Sequence, residues 1–315
     1  MTIRYGLYLV VLSLFGFTSL NTQPLDFFHH IGVSDGLSQN FIRQIHQTAD
    51  GFVWIGTQVG LDRYDSHEFR AFRADKDDPM SLPGAEVWSL LEAKDETLWV
   101  GTSKGLARYQ PQTENFEQFL TPELPNFDSG RLKTIRAFIE YPQGILWVST
   151  EGGMLPFSIE SGQFGMDTVF LRQQQELGLK IAFAFTPLQS GNLLIASEGG
   201  LFILETNTRA LQKVVVEIPS IDAFYALETL SDGSILAGTN DGLLRINFNA
   251  VDSITHIEHQ RFSSDVGGSP NFVADLLLNS NGGYYAATGA GLRHFNWQDG
   301  QFSLDAYYQH DPDRE

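Results

Sequence analysis

The chain has 315 residues, 42% of them hydrophobic, so it is long enough and apolar enough to bury a core. Asp and Glu number 38 against 20 for Lys and Arg, and the net charge of −18 makes nucleic acid and anionic lipid surfaces poor partners. The absence of cysteine excludes a disulfide framework and thiolate metal ligands. The 30 glycines and 24 phenylalanines favour short strands and tight turns over long helices.

The first 23 residues differ in composition from the rest of the chain. Arg4 precedes an apolar stretch from Tyr5 to Leu20, and small or polar residues follow it. This pattern predicts a secretory signal, so residues 24–315 are expected to be exported to the periplasm. A buried helix and a retained anchor are the alternatives, because the stretch is near the lower limit of about 17 residues for a membrane span and lacks a clear A-x-A cleavage site.

The remaining chain repeats itself six times. Each unit has a bulky apolar anchor, and the anchors are Trp54, Trp99, Trp147, Leu194, Leu236 and Tyr285. Six residues after each anchor stands a glycine, as Gly60, Gly105, Gly153, Gly200, Gly242 and Gly291. A large apolar residue follows each glycine directly, and another stands ten residues after each anchor. Regular self-similarity at this period indicates a repeat architecture.

Each unit is predicted to form four β-strands. The first alternates apolar and polar residues, as in 41–47, and ends at a turn such as Asp50-Gly51. The second carries the anchor and is apolar on both faces, as in 52–55, so it must be covered on both sides. The repeat glycine permits the turn into the third strand, and a looser fourth strand follows. The pattern predicts an all-β fold, a β-propeller of four-stranded antiparallel blades with six complete blades.

Two long segments resemble the two-component regulator propeller repeat. They are DGLSQNFIRQIHQTADGFVWIGTQVGLDRYD and FRADKDDPMSLPGAEVWSLLEAKDETLWVGTSKGLARY, and the resemblance weakens in the later units, where the anchor is no longer Trp. It implies the periplasmic sensor region of hybrid histidine kinases and related diguanylate cyclase receptors. For a full-length receptor it also implies two seven-bladed propellers, a small β-sandwich, one transmembrane helix and a cytoplasmic output domain, with dimerisation left open.

The residues after the sixth unit are similar to a linker between blades. YYQHDPDRE is similar to the segment FRADKDDP that leads from the first unit to the second. The hypothesis is an incomplete seven-bladed ring, in which LDFFHHIG at 25–32 is an outer strand of the closing blade. Two blade faces would then be exposed, and each uncovered large apolar side chain would forgo about 1.5–3 kcal/mol of burial. The alternative is a complete six-bladed ring.

Ligands of propellers are expected at the mouth of the central channel, on the loops between strands. The candidate contacts stand just before the repeat glycines or on the third strands, and they are Gln58, Arg63, Lys104, Arg108, Glu151, Glu198, Asp241 and Arg245. Such a mixture of carboxylate, amide and cationic groups could hydrogen-bond a small molecule or an oligosaccharide. Solvated turn residues are the competing interpretation, and the stretches 35–40 and 79–84 are interpreted as turns.

The sequence predicts no catalytic residue, no metal site and no cofactor. His29 and His30 are adjacent, so in a strand they point to opposite faces, and the other histidines lack ligand spacing. Glu151 and Glu198 could form a carboxylate pair for glycan chemistry, but inheritance from the repeat is the simpler explanation. The predicted function is a non-catalytic extracytoplasmic sensor. The alternative is a secreted propeller that acts as a carbohydrate-binding module, a polysaccharide lyase or a glycosidase.

Overall fold

Six four-stranded antiparallel sheets surround a central channel in the computed structural model of the chain. The structure describes residues 31–124, 126–262, 269–279, 283–298 and 301–308. Within each sheet the strands are hydrogen-bonded in chain order, and the first strand of each lines the channel. The prediction of an all-β propeller with four-stranded blades is confirmed.

The first three blades contain strands β1 to β12. Blade 1 consists of β1 (Ile42–Gln47), β2 (Val53–Thr57), β3 (Gly60–Tyr64) and β4 (Phe69–Phe72). Blade 2 consists of β5 (Val87–Glu92), β6 (Leu98–Thr102), β7 (Gly105–Gln110) and β8 (Asn115–Phe119). Blade 3 consists of β9 (Ile135–Glu140), β10 (Ile145–Thr150), β11 (Gly153–Ser158) and β12 (Gln163–Phe164).

The last three blades contain strands β13 to β24. Blade 4 consists of β13 (Ala182–Pro187), β14 (Leu193–Ser197), β15 (Gly200–Glu205) and β16 (Ala210–Val214). Blade 5 consists of β17 (Phe224–Thr229), β18 (Ile235–Thr239), β19 (Gly242–Phe248) and β20 (Ile254–Gln260). Blade 6 consists of β21 (Ser269–Leu278), β22 (Tyr284–Gly289), β23 (Gly291–Gln298) and β24 (Gln301–Tyr308).

The repeat anchors form the core between consecutive blades. All six lie on the second strand of their blade, and the first five are no more than 2% exposed. Trp54 packs with Leu90 and Val100 of blade 2, and a similar apolar cluster joins each following pair of blades. The second strands of blades 2 to 5 are therefore covered on both faces by neighbouring blades, as the sequence predicts.

The hydroxyl and the glycine of each repeat build the turn between the second and third strands. In blade 1, Thr57 Oγ1 accepts a hydrogen bond from Val59 N at 3.2 Å and donates one to Gly60 O at 3.0 Å. The same two hydrogen bonds recur in the other five blades, with serine in place of threonine in blade 4. Gly60 has a φ of 147°, and a Cβ there would overlap the carbonyl of Phe72. These repeated residues are required by the turn.

A helix on blade 3 was not predicted from the sequence. The short helical segments are a 3-10 turn (Val33–Asp35), α1 (Ser129–Leu132) and α2 (Thr168–Leu177). The outer strand of blade 3, β12, has only two residues. Helix α2 lies beside β11 of the same blade. Gln174 of α2 is buried, accepts a hydrogen bond from Met154 N at 2.7 Å and donates one to Met154 O at 3.0 Å. The amide side chain thus occupies a strand edge that would otherwise be open.

Blades 1 and 6 each have one apolar face that is exposed. Ile45 is 57% exposed, whereas Leu90, at the same repeat position in blade 2, is 4% exposed. On blade 6, Leu277 is 65% exposed and lines a groove with Tyr285 and Leu292. The incomplete seven-bladed ring stays a prediction.

Some predicted features lie outside the described residues. These are the secretory signal, all of LDFFHHIG before residue 31, the turn at Asn281-Gly282 and the linker-like segment from residue 309. In the part of the chain that the structure describes, no helix is long and apolar enough to cross a membrane.

Candidate functional site

Each inner strand displaces one residue toward the channel. The pairing of the first strand with the second shifts by one residue at the same place in every blade, as at a β-bulge. The extra residue stands eleven positions before the anchor and lines the channel. These six residues, here called the collar, are Arg43, Trp88, Arg136, Phe183, Tyr225 and Ala274.

The collar side chains differ from blade to blade, whereas the hydroxyl and the glycine of the turn recur in every blade. The collar surrounds a cavity of about 780 Å³, lined by the inner strands of all six blades. Sites for small molecules typically measure about 300–1,000 Å³. Because the backbone geometry is shared while the side chains differ, packing between blades does not dictate the collar. The collar is therefore the part of the channel best placed to recognise a ligand.

One side of the collar is a stack of two guanidinium groups on an indole. Arg43 Cζ is 3.6 Å and Arg136 Cζ is 3.8 Å from a ring centroid of Trp88. Glu86 pairs with Arg43 at 3.7 Å, and Glu151 pairs with Arg136 at 3.3 Å. Burial lowers the pKa of Arg43, Glu86 opposes this effect, and the nearby Arg136 lowers the pKa further. Two cationic groups are thus held close together on blades 1 and 3.

The other side of the collar is aromatic. The ring centroids of Phe183 and Tyr225 are 5.2 Å apart, and those of Tyr225 and Phe272 are 4.8 Å apart. Burial raises the pKa of Tyr225, and Asp222 and Glu198 raise it further, so the phenol remains a hydrogen-bond donor at neutral pH. The channel therefore has a cationic side on blades 1 to 3 and an aromatic side on blades 4 to 6.

Four buried polar atoms on the cationic side have no hydrogen-bond partner among the described residues. They are Arg43 Nε, His46 Nε2, Trp88 Nε1 and Ser89 Oγ. Burial lowers the pKa of His46, with Glu92 opposing, so this imidazole is neutral at pH 7. Buried polar groups are nearly always hydrogen-bonded in folded proteins, so these four atoms are exceptions to the general pattern.

Two carboxyl groups near the channel have raised pKa values. Asp275 lines the channel, and burial raises its pKa, with the amide of Leu276 opposing. Burial and then Asp275 raise the pKa of Glu228. In the described ranges no group of three His, Cys, Asp or Glu side chains is arranged to hold a metal ion.

Two of the predicted ligand contacts lie next to the collar. Glu151 reaches it through the ion pair with Arg136. Glu198 is close enough to Tyr225 to raise its pKa, and it pairs with Lys180 at 3.9 Å. The two carboxylates are thus held by different cations, which the spacing in the sequence did not reveal.

The other predicted turn residues have contacts of their own. Gln58 accepts a hydrogen bond from Gln39 at 3.4 Å, and Lys104 is exposed. Asp241 is buried and pairs with Arg261 at 2.8 Å. Each of them stays a prediction as a ligand contact.

The three predicted arginines lie on third strands, away from the inner strands. Each is directly opposite the anchor of its own blade in the strand pairing. Their ion pairs are Arg63 with Glu114, Arg108 with Glu117, and Arg245 with Asp232 and Glu258. This arrangement shields the anchors, and ligand contact by these arginines also stays a prediction.

None of the eight predicted residues is among the described residues that line the channel cavity. The predicted residues lie at the turns and on the third strands, whereas the channel is lined by the inner strands. A signal was available: the position eleven before the anchor carries Arg, Trp, Arg, Phe, Tyr and Ala in successive units. Large side chains that vary at one repeat position indicate a surface outside the repeated core.

Comparison with known proteins identifies the repeat. Residues 36–58 and 81–104 match the family model of the two component regulator propeller. Two segments of this chain thus resemble the two component regulator propeller repeat. A 78-residue stretch is 36% identical to Histidine kinase P4 of Formosa agariphila, and it represents 24% of this chain and 6% of the kinase. The recognition made from the sequence is confirmed.

Solved structures share the fold of this chain. One of them is described as the extracellular domain of the hybrid two component system BT3049 of B. thetaiotaomicron. It aligns with a TM-score of 0.55 at 15% identity, over 89% of this chain and 49% of that chain. Virginiamycin B lyase of Staphylococcus aureus aligns with a TM-score of 0.60 at 11% identity, over 84% of each chain. At these identities the likeness concerns the fold alone. The chain spans about half the length of the first of these structures.

Proposed function

We propose that this chain is the ligand-sensing propeller region of an extracytoplasmic receptor, with the channel collar as its ligand-binding site. The observation that carries the proposal is the collar itself: six bulged residues around one cavity, which vary in side chain while the blades repeat. The two component regulator propeller repeats support the receptor context. An apolar N-terminal stretch after Arg4 supports export.

A sensor requires binding without turnover. Ligand binding needs a concave site with a few convergent polar groups, which Arg43, Trp88 and Arg136 provide. The output then follows from any difference in ligand affinity between two states of the whole receptor. The proposal includes a periplasmic location and a small-molecule or oligosaccharide ligand. It also includes further propeller, membrane and output regions in the whole receptor.

The test is a ligand screen that also records chemical change. The purified chain is mixed with a library of sugars, organic acids and short peptides, and ligand-observed NMR detects binding. The same spectra are then followed over a long incubation. We expect at least one compound to bind and to remain unchanged. Arg172→Gln, on the exposed surface of α2, is the control and is expected to bind as the wild type does, while Trp88→Ala binds more weakly.

A compound that is consumed by the chain would contradict the proposal and favour a propeller enzyme.

A second experiment tests the location of the propeller. In intact cells with a permeabilised outer membrane, an added protease should digest the propeller of the full-length protein. Protection from the protease under those conditions would contradict an extracytoplasmic receptor.

A further inference from the structure

The two sides of the channel differ in chemistry, and together they define an amphipathic site. Two guanidinium groups stand on one side, and a run of three aromatic rings stands on the other. Between the rings the wall consists of small residues, Ala184, Ala226 and Ala274, which leave the faces of a ligand room to approach. A ligand that satisfies both sides has an anionic group at one end and an apolar face at the other.

The cationic side is arranged for an acceptor with more than one oxygen. The side chains of Arg43 and Arg136 line the cavity, and each is 20% exposed. Arg43 has a carboxylate only at 3.7 Å, and the nearest oxygen of Glu151 is 3.3 Å from Arg136. A planar carboxylate matches the guanidinium fork of either arginine.

The charge around the site favours a ligand of low negative charge. Glu86 and Glu151 already offset part of the charge of the two arginines, and the whole chain has a net charge of −18. A polyanion would be repelled by this field, whereas a single carboxylate can pair with the two arginines. The cavity of about 780 Å³ has room for a ligand of one or two rings.

We infer that the collar binds a small carboxylate that carries a ring, with the carboxylate on Arg43 and Arg136 and the ring face on Phe183 and Tyr225. This inference rests on the proposed function and names the ligand class of that site. A sugar acid and an aromatic acid share this chemistry, because each has a carboxylate and a ring face that stacks on an aromatic side chain.

Isothermal titration of the purified chain tests the inference with matched probes. The acid probes are galacturonate, a saturated or unsaturated disaccharide of galacturonate, and 4-hydroxybenzoate. Their neutral counterparts are galactose and 4-hydroxybenzyl alcohol. Inorganic phosphate is the control for an anion without a ring. We expect at least one acid to bind about tenfold or more tightly than its neutral counterpart and than phosphate, because a charge-assisted hydrogen bond is lost without the carboxylate. The identity of the acid that binds shows whether the ligand is a sugar acid or an aromatic acid.

Variants assign the binding to the collar. Arg136→Gln is expected to weaken acid binding about tenfold, and Phe183→Ala to weaken it while retaining the preference for the acid over the neutral compound. Arg172→Gln on α2 should leave affinity unchanged. Circular dichroism melting checks that each variant is folded, and Arg43→Gln substitutes for Arg136→Gln if the latter unfolds.

The inference is overturned if acids and neutral counterparts bind equally, if phosphate binds as well as the acids, if the collar variants bind as the wild type does, or if every acid fails to bind. The sensor proposal survives the first, second and fourth of these results as long as the wider screen yields any bound and unaltered compound. Unchanged binding by the collar variants would also remove the collar as the ligand-binding site of the proposed sensor. Consumption of the acid would instead contradict the sensor proposal while leaving the site in place.

Discussion

Asp62 fixes the entry loop of blade 1 through two hydrogen bonds. Its side chain is fully buried, and it accepts from Ser38 N at 3.0 Å and from the hydroxyl of Ser38. Ser38 lies in the stretch 35–40, where Gly36 has a φ of 107°. The sequence interpretation of this stretch as a turn agrees with these contacts. A buried carboxylate is tolerated here because the loop supplies its donors.

Replacing Asp62 by Ala should destabilise the fold. The two groups of Ser38 would lose their acceptor, so we expect the free energy of unfolding to fall by about 1–3 kcal/mol, measured by urea denaturation. Asp77→Ala is the matched control, because the side chain of Asp77 is 78% exposed, and its effect should stay within about 0.5 kcal/mol. Equal effects of the two substitutions would show that the contact with Ser38 contributes nothing.

Helix α2 depends on the residues at its two ends. Asp167 is the N-cap, and its Oδ1 accepts from Val169 N at 3.1 Å and from Phe170 N at 2.9 Å. Gly178 ends the helix with a φ of 77°. The amide of Phe170 holds the pKa of Asp167 below its usual value; partial burial opposes this, and Arg209 adds to the lowering. The cap therefore acts mainly as a carboxylate.

The stabilisation by Asp167 should depend on pH. A carboxyl with a lowered pKa in the folded state stabilises the fold above its unfolded pKa of about 4, and this contribution is lost as the pH falls through the folded-state pKa. We expect Asp167→Ala to lower the free energy of unfolding by about 1 kcal/mol at pH 7 and by less at pH 3.

Urea denaturation at the two pH values measures this effect. Asp167→Asn is the control, since asparagine retains the capping oxygen and loses the ion pair with Arg209, and its effect at pH 7 should be smaller. An equal loss for Asp167→Ala at both pH values would contradict a charged cap.

At the scale of the whole molecule, a blade face is stabilised only where another blade covers it. The position nine residues before the anchor holds Ile45 in blade 1 and Leu90 in blade 2. Leu90 lies in the cluster with Trp54, whereas Ile45 is 57% exposed. Identical repeat positions thus have different energetic roles, depending on the neighbouring blade.

Alanine substitutions at this repeat position should separate the two roles. Leu90→Ala is expected to lower the free energy of unfolding by about 2–5 kcal/mol, because it leaves a cavity between blades. Ile45→Ala should change it by about 0.5 kcal/mol or less in this chain. Thermal or urea unfolding of both variants measures the difference, and a large loss for Ile45→Ala would show that the face of blade 1 is covered in solution.

The blades could be predicted from the sequence. The anchors, the hydroxyl and the glycine recur because every blade needs the same turn and the same covered second strand. The six recurrences of these positions, which begin with Trp54, Thr57 and Gly60, therefore indicated the period, the strand count and the propeller fold. These requirements are local to one blade and its neighbour, which is why a one-dimensional pattern records them.

The contacts between residues in the channel and the covering of strand edges could not be predicted from the sequence. The collar depends on a one-residue bulge that turns Trp88 inward between two arginines from different blades, about 45 residues away on either side, and no local pattern records that meeting. Helix α2 likewise covers blade 3 because β12 is short, and Gln174 finds its partner only across the fold. Contacts that depend on several blades at once are fixed by their arrangement around the axis, and therefore appear only in three dimensions.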